Sequence, residues 1–309
     1  MKKRILFITI LLLVFAVFMS TISAFGAEKK ISLGLAIPYI GQEFWAVVQK
    51  GAEDGAAAMP DVELTVVQSH QAPTKQISQI ESFIAAKVDA ILLPPADPSA
   101  LVPAVEEANK QGIPVIGVDT AVVGGKLTSF IASNNITVGE IAGKYIADRL
   151  KGKGKIIVIG YPQHTATRQR VEGLKNVLKD YPDIEIIAEE VGKLPPDTQA
   201  QAENIMTAYK QFDALFGVAD VLTLPFWKVA KDLGRNKDIF FVGVDATGEA
   251  LAAIEENSGY AASVAQQPYQ MGKLAVETAV KVVKGEQVES FTEVPVVLAT
   301  FDNLKDFKK

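Results

Sequence analysis

The sequence predicts an α/β protein of two similar lobes, each built on an open parallel sheet. Short apolar runs alternate with segments of helical period, which is typical of parallel sheets covered by helices. The alternation occurs in both halves of the 309-residue chain, and at roughly 150 residues per domain this length suits two domains. Each half also contains a strand that ends on the same motif, VIGVD at Asp119 and FVGVD at Asp245. We interpret this as one open α/β unit used twice.

The first 26 residues are expected to be a secretory signal peptide. Three basic residues at positions 2–4 precede an apolar run at 5–19, and a small-x-small pattern at 24–26 predicts cleavage near Gly26. The run is short for a bilayer span, which needs about 20 apolar residues. An uncleaved N-terminal anchor is the alternative. An exported, acidic chain without cysteine is expected in the periplasm.

The first half after the signal reads as successive βα units. Residues 31–37 form the first predicted strand, and the segment after it has Val48, Ala52 and Met59 on one helical face. Further strands are predicted over 63–68, 90–93 and 115–118, with helices between them.

The second half repeats this order of elements. Strands are predicted over 155–160, 184–191, 214–218 and 240–244. Val171, Leu174 and Leu178 lie at helical spacing between the first two of these strands, which predicts an amphipathic helix there.

The matched aspartates are the first indication of a site. Asp119 and Asp245 each follow the carboxyl end of a buried strand, where ligands bind in open α/β sheets. Two lobes that face each other would direct both carboxylates into one crevice. The alternative is that each aspartate caps the following helix, for which Asp is well suited.

Composition excludes several functions. Without cysteine there are no thiolate nucleophiles, disulfides or Cys-based zinc sites, and the formal charge of −5 opposes binding to nucleic acid. No nucleophile-elbow, zincin or P-loop motif is present, so we expect no catalytic residues, no metal and no cofactor. His164 follows a strand and could contact a ligand, although a solvated loop histidine is the more ordinary interpretation. Paired carboxylates acting on a glycoside remain a further alternative.

The polar and aromatic residues that follow the strands suit a neutral polyhydroxylated ligand. Aromatic rings stack on the C–H faces of a sugar, whereas carboxylates, amides and guanidinium groups replace water at its hydroxyls. Phe44 and Trp45 begin a helix after the first strand, and the alternative for Trp45 is the core. Arg168, at another helix start, offers a fork of five donors, whereas Arg170 is assigned to a surface salt bridge. The planar amides are Asn135 and Gln266.

These segments together resemble the periplasmic sugar-binding proteins of the ribose-binding type, relatives of the ligand domain of lactose-repressor regulators. The resemblance covers essentially everything after the signal. Its motifs are GQEFW at 41–45, GIPVIGVD at 112–119, IASNN at 131–135, RQRVEG at 168–173, FVGVD at 241–245 and AQQPYQMG at 265–272.

The resemblance implies two Rossmann-like lobes joined by a three-strand hinge, the fold called periplasmic binding protein-like I. It implies an N-terminal lobe of 27–133 plus 267–296 and a C-terminal lobe of 134–266 plus 297–309, with crossovers near Ser133, Gln266 and Val297. The implied ligand contacts are Gln42, Phe44, Trp45, Asp119, Asn135, Arg168, Asp245 and Gln266.

Two departures from the ribose-type pattern bear on the ligand. Thr120 stands where that pattern has an arginine, and Ala219 where it has an asparagine, so a pyranose, a pentose in another ring form or a polyol is expected instead of ribose. The resemblance implies a receptor that delivers its ligand to an inner-membrane ABC permease, and the acidic composition favours a soluble monomer. A sensory adaptor that presents the ligand to a chemoreceptor or kinase is the alternative, and an enzyme or a transcriptional regulator is a more distant one.

Overall fold

The described chain alternates strands and helices as the sequence predicts. The structure is a computed structural model that describes residues 30–307 except 40, 42 and 195, so the predicted signal peptide lies outside it. The strands are β1 Ile31–Ile37, β2 Val62–Gln68, β3 Ala90–Leu93, β4 Val115–Val118, β5 Ser129–Ala132, β6 Lys153–Gly160, β7 Asp183–Val191, β8 Ala214–Gly217, β9 Phe240–Val244, β10 Tyr260–Ala265, β11 Phe291–Glu293 and β12 Val297–Thr300.

The helices lie between these strands. They are α1 Glu43–Ala57, α2 Pro73–Ala86, α3 Val102–Lys110, α4 Asn135–Arg149, α5 Thr165–Leu178, α6 Thr198–Ala208, α7 Asp220–Asp232, α8 Gly248–Glu255 and α9 Pro268–Val283, with a 3₁₀ helix at Phe301–Asp306. None of the helices among the described residues is both long and apolar enough to cross a membrane.

The strands form two sheets with the same internal order. The first runs β11-β5-β4-β3-β1-β2 and the second β12-β10-β9-β8-β6-β7. Strands pair in parallel in both sheets, except that β12 is antiparallel to β10. Strand order reverses at β1 in the first sheet and at β6 in the second, which creates a ligand-binding crevice at the carboxyl ends of each. The predicted α/β fold of two parallel sheets is confirmed.

The strands that the sequence pattern did not reveal are short or rich in small residues. β5 has four residues, and β10 reads YAASVA, so neither contains the continuous branched run that marks a buried strand. The predicted strands all form, with ends that differ by one or two residues; β6, for example, begins at Lys153. These differences in strand bounds do not change which side chains follow the carboxyl end of each strand.

The chain passes between the sheets three times within the described residues. These passages lie between β5 and α4, between β10 and α9, and between β11 and β12. The long helix α9 returns to the first sheet, because its Met271 and Ala275 pack in one core with Leu33 of β1. Val138 of α4 instead packs with Leu174 in the core of the second sheet. Each hydrophobic core is therefore built from distant parts of the chain.

The helix pair α1/α9 packs through glycines. A Cβ added at Gly272 would overlap the carbonyl oxygen of Val48, and one added at Gly51 would overlap the carbonyl oxygen of Tyr269. Such an approach brings the two backbones into direct contact, which only glycine permits. Because α1 carries Phe44 and Trp45, this contact also fixes the aromatic edge of the crevice.

The second sheet has a matching helix pair, α4/α5. A Cβ at Gly139 would overlap the carbonyl oxygen of Arg170, and one at Gly173 would overlap that of Ile136. The same constraint therefore fixes α5, the helix that carries both arginines.

We predict opposite effects for two glycine substitutions at the α1/α9 contact. Gly272→Ala forces the helices apart and should lower the free energy of unfolding by about 1–3 kcal/mol. At Gly55 a Cβ lies at ordinary contact distance, 3.4 Å from Lys273, so Gly55→Ala should leave stability unchanged or raise it by up to about 1 kcal/mol through helix propensity. Chemical denaturation measures both changes; equal effects would contradict the packing described.

Candidate functional site

A cavity of about 420 Å³ lies between the carboxyl ends of the two sheets. The segments after β1, β3 and β4 line one side, and those after β6, β8 and β9 line the other. Its aromatic and polar lining consists of Phe44, Trp45, Gln71, Asp97, Asp119, Thr120, Tyr161, His164, Thr167, Arg170, Asp245 and Gln266.

The two predicted aspartates face this cavity from opposite sheets. Both have left-handed backbone angles, with φ of 62° at Asp119 and 107° at Asp245, a region that non-glycine residues rarely adopt. Each turn is held by a backbone hydrogen bond, from the Asp119 N–H to Ile131 O at 2.8 Å and from the Asp245 N–H to Val264 O at 2.9 Å. The left-handed turn directs each carboxylate across the strand end.

Helix capping does not explain either aspartate. Thr247 caps α8, because its Oγ1 accepts from the Ala250 N–H at 3.3 Å. The element after Asp119 is strand β5, so no helix begins there. The capping alternative is therefore wrong for both positions.

Two buried acceptors near the cavity have no hydrogen-bond partner among the described residues. Asp119 is 7% exposed, and its Oδ2 accepts from the Thr120 hydroxyl at 3.0 Å, but its Oδ1 is unpaired. The Gln266 Nε2 donates to Asp245 Oδ1 at 2.8 Å, which leaves the Gln266 Oε1 unpaired. Because an unpaired buried acceptor costs about 1–3 kcal/mol, both atoms suit hydroxyl donors from a ligand.

Arg170 is the arginine of the cavity. It is 4% exposed, its Nε donates to Asn135 Oδ1 at 2.8 Å, and one terminal nitrogen donates to Val218 O at 2.8 Å. That nitrogen lies 3.8 Å from Asp245 Oδ1. The expectation that Arg170 makes a surface salt bridge is wrong.

Arg168 lies outside the cavity. It is exposed, and it donates to Pro162 O at 2.7 Å and to Thr165 Oγ1 at 2.9 Å. The physical reason is helical geometry, since residues two apart point to nearly opposite faces. Arg170 shares the buried face with Ala166 and Leu174, four residues away on either side, and this spacing is visible in the sequence. It singles out Arg170 as the buried arginine of α5.

Asn135 supports the arginine and is not part of the cavity lining. It is 5% exposed; its Oδ1 holds Arg170, and its Nδ2 donates to Ser133 O at 3.2 Å. The structure therefore places this predicted ligand contact behind the guanidinium group, where it orients the donors of Arg170.

Both predicted aromatic residues line the cavity. Phe44 and Trp45 meet edge to face with ring centroids 4.9 Å apart, and Trp45, 8% exposed, packs on the core as well. Gln42, the remaining predicted contact on this segment, lies outside the described residues.

An aromatic pair lies after β6, of which His164 was given as a possible ligand contact and Tyr161 was not predicted. Tyr161 and His164 line the cavity, with ring centroids 5.3 Å apart. His164 is half-buried, and burial lowers its pKa below the usual value despite the nearby charge of Asp119. The solvated interpretation of His164 is therefore wrong. This segment follows β6, which occupies the same place in the second sheet as β1 does in the first. Its position after that strand is the sequence signal that could have identified Tyr161.

The charged groups of the cavity, Asp119, Asp245 and Arg170, lie close enough to affect one another. Burial raises the pKa of Asp245 to about 6, the charge of Asp119 adds to the rise, and Arg170 and Gln266 oppose it. Burial also raises the pKa of Asp119, again opposed by Arg170. One guanidinium group thus stabilises both carboxylates.

A third carboxyl group holds the segment that carries Asp245. Asp220 is fully buried; its Oδ1 accepts from the Tyr260 and Ser263 hydroxyls at 2.7 and 2.8 Å, and its Oδ2 accepts from the Thr247 N–H at 2.9 Å. Burial and the charge of Asp245 raise the pKa of Asp220 to about 7. Asp220 is therefore a positioning group beneath the cavity floor.

The arrangement can bind hydroxyl groups from several sides. Among the described residues, no cluster of His, Asp and Glu side chains could hold a metal ion. The cavity offers unpaired acceptors, one oriented guanidinium group and aromatic faces, which together match a small polyhydroxylated molecule.

Comparison with known proteins agrees with this geometry. The sequence profile described as periplasmic binding protein domain matches residues 33–287. The ribose import binding protein of Bacillus subtilis is 31% identical over 277 residues, covering 89% of each chain. A putative rhizopine-binding protein of Rhizobium meliloti is 32% identical, covering 90% of this chain and 92% of its own.

A solved structure shares the whole architecture. The solute-binding protein of an ABC transporter from Bacillus halodurans, with bound myo-inositol, superposes with a TM-score of 0.86 at 28% identity and covers 92% of this chain and 99% of its own. The profile and these relatives span both sheets and the cavity between them. The chain therefore belongs to the periplasmic binding protein family, and within it to the ribose-binding type.

Proposed function

We propose that this protein is the periplasmic solute-binding component of an ABC importer and captures a neutral monosaccharide or polyol between its two lobes. The observation that carries the proposal is the cavity between the sheets, where Asp119 and Gln266 present unpaired buried acceptors beside Arg170. The proteins of this family are solute-binding proteins rather than enzymes. One relative of this chain is named as a ribose import binding protein, and another was solved with bound myo-inositol. Both compounds are neutral and polyhydroxylated.

The lining favours a six-membered ring or a polyol over ribose. Thr120 and Ala219 both line the cavity at the positions where the ribose-type pattern has an arginine and an asparagine. Losing two polar contacts removes donors that ribose would use, whereas Phe44 and Trp45 provide an aromatic face suited to a larger ring. The two carboxylates of the cavity, Asp119 and Asp245, disfavour phosphorylated sugars because like charges repel.

The two sheets are proposed to be the cores of two lobes that close on the ligand. The proposed boundaries are 27–133 plus 267–296 for the N-terminal lobe and 134–266 plus 297–309 for the C-terminal lobe. Support comes from the three passages between the sheets, which lie next to Ser133, Gln266 and Val297. Three adjacent connections can bend together as a hinge.

The proposed partner is an inner-membrane ABC permease, and the proposed location is the periplasm after cleavage near Gly26. The relatives favour import over a sensory role. The acidic charge of −5 supports a monomer that does not bind nucleic acid.

The first experiment is a thermal-shift screen of pentoses, hexoses, cyclitols and linear polyols. A ligand that binds only the folded protein raises the melting temperature. We expect at least one neutral member to raise it and sugar phosphates to have no effect. Failure of every neutral compound would contradict the proposal.

The two arginines of α5 provide a matched pair of variants. Arg170→Gln should weaken ligand binding about tenfold or more, because it removes charged donors from a buried site. Arg168→Gln should retain wild-type affinity, since Arg168 lies outside the cavity. Isothermal titration with the ligand from the screen measures both, and circular dichroism checks folding. Equal losses in the two variants would contradict the assignment of Arg170.

Ligand affinity should fall as the pH drops below about 6. Burial raises the pKa of Asp245 to about 6, so below this pH the free protein holds a proton there. A ligand hydroxyl that donates to the carboxylate favours its ionised form, so binding must release that proton. Affinity should therefore be highest above pH 7 and fall by up to about tenfold per pH unit below 6.

Calorimetry in two buffers with different ionisation enthalpies tests this sign directly. At pH 5.5 we expect net proton release on binding, and at pH 8 much less. Proton uptake at pH 5.5 would mean that the ligand prefers a protonated Asp245.

A further inference from the structure

One exposed contact joins the two halves of the molecule beside the cavity. The backbone N–H of Gly248 donates to both carboxylate oxygens of Glu43, at 3.0 and 3.1 Å. Glu43 is the first residue of α1, which packs on the first sheet, and Gly248 is the first residue of α8, which follows β9 of the second sheet. The contact therefore joins the two lobes across the cleft and does not lie within one of them.

The first turn of α8 receives one acceptor from the other side of the cleft. The N–H of Ala250 donates to Thr247 Oγ1 and that of Thr247 to Asp220, both within the second half, whereas the Gly248 N–H donates to Glu43. A carboxylate is favoured at the positive end of a helix. Glu43 forms no ion pair among the described residues; besides this helix end, its charge acts on Asp245, whose pKa it helps to raise.

The contact lies between the two segments that reach the cavity from opposite sheets. Glu43 immediately precedes Phe44 and Trp45, and Gly248 follows Asp245 by three residues. Glu43 does not line the ligand cavity itself but borders the neighbouring cleft on the hinge side. A contact in this position can only form when the two sides are close together.

We propose that Glu43 is a positioning residue that acts as an interlobe latch: its hydrogen bonds to the Gly248 N–H stabilise the closed form, raise ligand affinity and slow ligand release. The proposal rests on the proposed function, because it assumes that closure accompanies binding. Apparent affinity scales with the fraction of protein in the binding-competent form. A solvent-exposed charge at a helix end shifts such an equilibrium by about two- to fivefold.

The chain offers variants that remove either partner of the contact. Glu43→Gln removes the charge. Gly248→Pro removes the donor and places the ring Cδ in its direction, so the Glu43 carboxylate must turn away; proline suits the first position of a helix. The preceding residue, Thr247, has φ −58° and ψ 157°, an extended conformation outside the α region that proline disfavours in its predecessor.

Each variant has a matched control. Glu249→Gln removes a carboxylate at the same helix end, but Glu249 pairs with Lys228 within the second half. Gly248→Ala retains the N–H, and its Cβ would lie at an ordinary 3.5 Å from Glu43. Neither control alters the donor or the acceptor that spans the cleft.

The test measures affinity by titration and release by stopped-flow fluorescence, with the sugar or polyol identified in the thermal-shift screen. Glu43→Gln and Gly248→Pro should each weaken binding and speed release about two- to fivefold. The double variant should be no worse than either single variant, because both remove the same contact. The two controls should match the wild type.

A second measurement needs no ligand. Because the chain has no cysteine, spin labels attach only at introduced ones, such as Lys110→Cys in the first half and Lys179→Cys in the second. Glu43→Gln should shift the distance distribution between the labels towards the open form by lowering its short-distance, closed population about two- to fivefold. If this shift occurs but no sugar or polyol of the thermal-shift screen binds, the latch is supported and the proposed function is contradicted. Unchanged release rates together with an unchanged distance distribution would overturn the latch and leave the proposed function intact.

Discussion

The site depends on one electrostatic constraint: two carboxylates from different sheets, Asp119 buried and Asp245 13% exposed, lie near a single guanidinium group. Asp119 and Asp245 both have pKa values raised by burial, and Arg170 opposes that rise at each. A buried charge without a partner is costly, so the position of Arg170 must be fixed closely. Asn135 and Val218 O fix it by hydrogen bonds, and the glycine contact between α4 and α5 fixes the helix that carries it.

On the second-sheet side of the cavity, a buried carboxyl group supports the segment that carries the aspartate. Asp220 holds the Asp245 segment through hydrogen bonds to Thr247, and its own pKa is raised to about 7. The first sheet has no such buried carboxyl described beneath Asp119, whose turn is held by the Ile131 carbonyl. The repeated strand-to-aspartate motif thus provides the same backbone turn twice, with different support beneath it.

The architecture was predictable from sequence because its signals are local. A buried parallel strand is a short apolar run, and the carboxyl ends of such strands face a common crevice, so Asp119 and Asp245 could be assigned without coordinates. Arg170 was missed because the ligand contact was assigned to Arg168 at the helix start, which left Arg170 to a surface salt bridge. Its burial depends on Asn135 and Val218 O, which are distant in sequence. The contact between Glu43 and Gly248 likewise joins residues that no local pattern connects.

The contact between Glu43 and Gly248 contributes much less free energy to closure than the ligand must contribute. An exposed hydrogen-bonded carboxylate changes a two-state equilibrium by only about two- to fivefold, whereas moving that equilibrium from mostly open to mostly closed needs about 10⁴-fold. The larger part must come from groups that gain partners on binding, and the unpaired Asp119 Oδ1 and Gln266 Oε1 are such groups. A strong latch would close the empty protein and erase the difference between loaded and empty forms. A weak latch adjusts affinity and release while the ligand still decides whether the lobes close.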